Sequence, residues 1–81
     1  MSWSEYTLEE RRFIEDQTFL NTVRMNADGL RLVAEGKRPR EVFPEGVSNM
    51  LIRQGVVIKI HFLKYRLCDR AAEMLGVASP D

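Results

Sequence analysis

From Leu8 onward the chain alternates apolar and polar residues in two different rhythms, and the change between them predicts its organisation. Phe13, Leu20, Val23, Ala27, Leu30 and Ala34 follow one another at steps of seven, three, four, three and four. Such steps fall on one stripe of an α-helix. The stripe opens at "TLEE", where Thr7 and Glu10 have the spacing of a capping box and Glu9 and Glu10 suit the positive end of the helix dipole. Asp28-Gly29 interrupts it, because glycine costs about 1 kcal/mol inside a helix and Asp is a good N-cap. Two helices are therefore expected, 8–26 and 29–35, or one kinked helix in their place. Gly36 ends the stripe, and the two prolines of "KRPREVFPEG" limit any helix there to about a turn. Pro44 can then open a third helix, 45–54, with Val47, Met50 and Leu51 as its apolar face and Ser48, Asn49 and Arg53 towards the other side.

Beyond Gly55 the rhythm shortens to two. Val56, Ile58, Ile60 and Phe62 alternate with Lys59 and His61, and from Leu63 the phase flips to Leu63, Tyr65 and Leu67 with Lys64 and Arg66 between. A phase change of this kind marks two strands meeting at a turn or bulge. Val56, Ile60, Leu63, Leu67, Ala71 and Met74 also fit helical spacing, and no Gly, Asn or Pro marks a turn at 61–64. The cluster Val56, Val57, Ile58 and Ile60 is β-branched, which favours strands over helix. The expected order is strand 57–61, strand 64–67, then a helix capped by Asp69 and ending at Gly76. The fold class is thus mainly α with a small β-hairpin, and a small all-α bundle is its alternative.

At 81 residues the chain is expected to be one domain, 1–81, with residues 1–6, including Trp3 and Tyr6, as an N-terminal arm. Neither a signal peptide nor a membrane span is visible, and the lone Cys68 has no disulfide partner in the chain, so a cytoplasmic protein with no membrane role is expected. His61 is the only histidine, so no metal site is assigned, and no cofactor either. No glycine-framed nucleophile accompanies Ser48 or His61, and no glycine-rich phosphate loop is present, which argues against an enzyme. Cys68 is expected to be a small buried residue rather than a reactive thiol.

Charge adds a direction. The chain is neutral, but residues 1–36 carry four Lys or Arg against seven Asp or Glu, whereas 37–70 carry eight against three. Local potential attracts phosphate, so the central segment points to an anionic partner. The competing reading is a solvated face whose charges pair with the acidic first helix.

Two stretches resemble DNA-binding domains. "LIRQGVVIKI" followed by "KYRLCDRAAEML" resembles the end of winged helix-turn-helix domains, where a recognition helix runs into a Gly-aliphatic strand, a wing, and a strand of the form Tyr-x-Leu-Thr leading to a Gly-containing helix. Tyr65 and Leu67 match, Cys68 stands for the Thr, Ala71 or Ala72 for the Gly, and the wing is almost absent. "LRLVAEGKRPREV" and "VSNMLIRQGV" look like the start and the recognition helix of LuxR-type response-regulator output domains, with too few residues between them. The resemblance spans 29–76 and implies a small transcriptional regulator that binds double-stranded DNA as a dimer. On that reading Ser48 and Asn49 face base edges, and Arg53 pairs with guanine or a phosphate. Lys37, Arg38, Arg40, Lys59, Lys64 and Arg66 would then hold phosphates. The alternative is a protein-interaction module, or a homodimer, that docks through its amphipathic first helix.

Overall fold

The computed structural model describes residues 7–77, so the expected arm 1–6 lies outside the described residues. Five helices and one hairpin follow in the order α1 (Leu8–Met25), α2 (Ala27–Ala34), α3 (Pro39–Val42), α4 (Glu45–Arg53), β1 (Val57–His61), β2 (Lys64–Leu67) and α5 (Asp69–Leu75). The protein is mainly helical with a two-stranded antiparallel hairpin, and 56–76 is not one helix.

The capping box forms at the start of α1: Thr7 Oγ1 accepts from Glu10 N at 3.1 Å, and Thr7 N donates to Glu10 Oε1 at 3.4 Å. Thr22 and Val23 of α1 are buried in the core and Phe19 packs against it half-buried, while Leu8 and Phe13 remain 63% and 65% exposed. Phe13 belongs to the apolar stripe but not to the core, because α1 runs about 27 Å and overshoots the body that α2, α4 and α5 build.

The break between α1 and α2 falls at Asn26, two residues before the expected Asp28 N-cap. Asn26 leaves helical geometry at φ −115°, and its Nδ2 donates to Thr22 O at 2.8 Å. Gly29 therefore lies inside α2. A Cβ there would meet the Phe43 ring at 2.5 Å and Val42 at 2.8 Å, so the glycine is a close-approach position that lets the end of α3 press against α2.

Pro39 opens α3, and Glu41 reaches back to accept from Arg38 N at 2.8 Å. The core gathers Val23, Leu30, Val33, Leu51, Val56, Val57, Leu67, Ala71 and Ala72. Full burial of a Leu or Val stabilises by about 1.5–3 kcal/mol.

In the hairpin Val57 pairs with Leu67, Ile58 with Arg66, Lys59 with Tyr65 and His61 with Lys64, with a register shift between Lys59 and His61. Partners across an antiparallel pair share a face. Val57 and Leu67 are buried at the base, so Ile58 occupies the opposite face, while Ile60 falls at the register shift and is 48% exposed. The apolar alternation thus continues well past the part of the hairpin that packs. Cys68, not Asp69, is the N-cap of α5, and it is half-buried rather than buried. Gly76 closes α5 at φ 66°, the left-handed conformation that glycine adopts without strain.

Candidate nucleic-acid interface

The nine candidate side chains lie on three consecutive pieces of chain: the α2–α3 connection with α3, then α4, then the hairpin. On α4 the expectation for Ser48 is overturned. Ser48 is 1% exposed, and its Oγ has no hydrogen-bond partner among the described residues, so it cannot reach a base edge. Successive helix residues turn by about 100°, which puts Ser48 about 60° from Leu51. The buried arc is centred between those two residues rather than between Val47 and Leu51. Asn49 and Arg53 lie on the far side of that arc and are exposed.

The cations divide by the company they keep. Arg40 donates to Glu45 Oε1 at 2.9 Å, Arg38 Nε lies 3.6 Å from Glu41, and Arg66 lies 3.3 Å from Asp69. Arg66 also donates to Leu67 O at 3.1 Å. Each of these arginines is paired with a carboxylate three to five residues away. Glu41 feels the same neighbours: the hydrogen bond from the Arg38 backbone N–H, and then the Arg38 side chain, hold its carboxyl below its ordinary value. Lys37 adds a weaker pull on Glu41. Arg53, Lys59 and Lys64 are exposed and close no ion pair among the described residues.

Pairing with the acidic first helix occurs at Arg70. Its guanidinium pairs with Asp16 and lies 4.8 Å over the Phe19 ring, which ties α5 to α1. Arg12, Glu15, Asp16, Phe19, Gln54 and Arg70 line an open concavity, and none of the nine candidates is among its lining residues. Among the described residues no three His, Cys, Asp or Glu side chains gather to hold a metal ion. No described helix is long and apolar enough to cross a membrane.

The hairpin tip was not legible as a distinct feature in the sequence. Phe62 and Leu63 form the two-residue connection, 80% and 52% exposed, and Leu63 takes φ 65°. The available signal was the missing turn chemistry: Asn-Gly or Asp-Gly would close such a turn without strain, and neither occurs at 61–64. No protein family, curated protein or solved structure matches this chain.

Proposed function

We propose that the chain is a small, cytoplasmic, non-enzymatic protein that binds double-stranded DNA through α4 and the hairpin and acts in transcriptional regulation. The observation that carries this reading is a run without any acidic residue, from Gly46 to Cys68, which makes up nearly all of α4 and the whole hairpin. Its exposed cations Arg53, Lys59 and Lys64 close no ion pair with a carboxylate among the described residues. A phosphate backbone supplies the missing charge. Asn49 and Arg53 are the groups that read base edges, as Asn suits adenine and Arg suits guanine. Lys37, Arg38, Arg40 and Arg66 flank the run and add phosphate contacts.

A second reading, self-association through α1, is favoured by Leu8 and Phe13, which stand exposed on a helix that buries only Thr22 and Val23. One experiment addresses both. Binding of a labelled random-sequence duplex is followed by anisotropy across a salt series, and the same samples are sedimented. DNA binding should give a linear fall of log affinity with log salt, with a slope of about −0.9 per phosphate neutralised. Replacing Arg53, Lys59 and Lys64 together by Ala should weaken binding to every sequence and flatten that slope. Absence of binding even at low salt refutes the DNA reading. A monomer mass at the highest concentration removes self-association through α1.

A further inference from the structure

The hairpin is anchored at one end only. Exposure rises from Val57 to His61 along β1 and falls from Lys64 to Leu67 along β2, so the pair Val57–Leu67 holds the base while the outer half stands in solvent. At its end three large apolar side chains, Ile60, Phe62 and Leu63, are 48%, 80% and 52% exposed. A loop tip in water is ordinarily polar, with Gly or Asn where φ is positive. Here a leucine occupies φ 65°. A left-handed residue other than Gly, Asn or Asp costs about 1–2 kcal/mol. Stability alone therefore does not account for this turn.

The surroundings restrict what the tip is for. Lys59 lies across from Tyr65, His61 lies across from Lys64, and both lysines are exposed beside the apolar tip. No Asp or Glu occurs from Gly46 to Cys68, so the charged side chains nearest the tip in sequence, Lys59 and Lys64, are both cationic. The pairing register shifts between Lys59 and His61, so the regular ladder is interrupted just before the tip.

We propose that this tip is a wedge. Phe62, backed by Leu63, inserts between neighbouring base pairs of duplex DNA from the minor groove, and Lys59 and Lys64 hold the phosphates on either side. Apolar wedges of Phe, Leu and Ile unstack a base step and kink the duplex by about 20–90°. The energy for unstacking comes from the apolar surface that leaves water and from the flanking phosphate contacts. Pyrimidine–purine steps such as TA kink most easily, so the wedge selects deformable sequence without reading base edges. This inference rests on the DNA reading, and the charge complementarity of the acid-free flanks is what selects an anionic polymer over a neutral surface.

The test uses the full chain and a duplex of about 30 base pairs with a central run of TA steps and a donor and acceptor dye at its ends. The unmodified protein should raise energy transfer, because the kink brings the ends together. Phe62→Ala should abolish the rise and weaken binding about ten- to hundredfold, given the stacking energy of one aromatic ring. Its salt slope should stay unchanged, since no phosphate contact is lost. Lys59→Ala with Lys64→Ala should flatten the slope by about two units. Phe62 is exposed, so a circular dichroism spectrum and melting curve equal to those of the parent confirm that the fold persists. If the parent binds with a steep salt slope but leaves energy transfer unaltered, or if Phe62→Ala bends the duplex as the parent does, the wedge is refuted and DNA binding survives. Absence of binding at low salt refutes both. Vesicles of phosphatidylserine and phosphatidylcholine serve as the other arm: Phe62-dependent binding there, with none to DNA, overturns the proposal in favour of a lipid surface.

Discussion

Gly29 and Gly46 provide a matched pair of substitutions whose signs should differ. Both lie within helices, and Ala is the better helix former by about 1 kcal/mol in a helix interior. At Gly46, the second residue of α4, an added Cβ has nothing within 4 Å, so Gly46→Ala should stabilise by about 0.4–1 kcal/mol. At Gly29 the same Cβ lands 2.5 Å from two atoms of the Phe43 ring and 2.8 Å from a Val42 methyl. Overpacking of that kind costs about 1–3 kcal/mol, which cancels the propensity gain and leaves a net loss of up to about 2 kcal/mol. The two variants should then differ by at least about 1 kcal/mol, or about 4–8 °C in Tm for a domain of this size. Urea unfolding with an unchanged m-value is the assay, because a shift of midpoint alone reports stability. Gly29→Ala combined with Phe43→Leu should recover part of the loss if the ring is the obstacle. Equal stabilisation by Gly29→Ala and Gly46→Ala would refute the close approach, and with it the account of how α2 and α3 are held together.

Ser48→Ala should leave DNA binding unaltered and raise stability by about 1 kcal/mol, since it removes a buried hydroxyl without a partner at a cost-free position in a helix. Destabilisation in a urea titration, or a binding defect, would show that Oγ has a role. Glu41 should make the fold sensitive to acid: its folded pKa lies below its ordinary value, so its stabilisation is complete above about pH 4.5 and is lost as pH falls through the depressed value. Urea midpoints measured from pH 6 to pH 3 should fall less steeply for Glu41→Gln, and identical profiles would contradict the hydrogen bond from Arg38 N.

Secondary structure was the most legible layer, for reasons that particular residues make clear. The capping box at Thr7 and Glu10 acts within a single turn, and the β-branched run after Gly55 biases the backbone directly, so both are local and both are found in the fold. The position of Gly29 depends on Phe43, fourteen residues away, and no local rule contains that contact. Ser48 failed for a different reason. Hydrophobicity places the buried arc by its apolar members, yet the arc is fixed by what packs around α4, and one polar residue falls inside it. The extent of hairpin burial was hidden in the same way, because alternation continues through Ile60 and Phe62 while packing ends with Val57, Tyr65 and Leu67. Charge pairing also depends on geometry: the sum over 37–70 is basic, but Arg70 is directed at Asp16, and Arg38, Arg40 and Arg66 at nearby carboxylates.

That sorting of cations bears on how strongly a phosphate backbone could be held. If only Arg53, Lys59 and Lys64 neutralise phosphates, the salt slope should be near −2.7, since each contact contributes about −0.9. If Lys37 also binds, and Arg38, Arg40 and Arg66 exchange their carboxylates for phosphates, seven contacts give about −6.3 by the same rule. Exposed ion pairs are worth about 0–1 kcal/mol, so exchange is cheap wherever solvent already reaches the pair. Arg40 meets that condition, with its side chain 70% exposed and that of Glu45 72% exposed. Arg66 meets it least, being 29% exposed and also bonded to Leu67 O. Exchange should therefore begin at Arg40 and reach Arg66 last, because the carbonyl bond keeps its guanidinium turned towards the hairpin's exit. A slope between the two limits is then the signature of a surface that recruits its paired arginines in order of exposure, and Arg40→Ala should lower it more than Arg66→Ala.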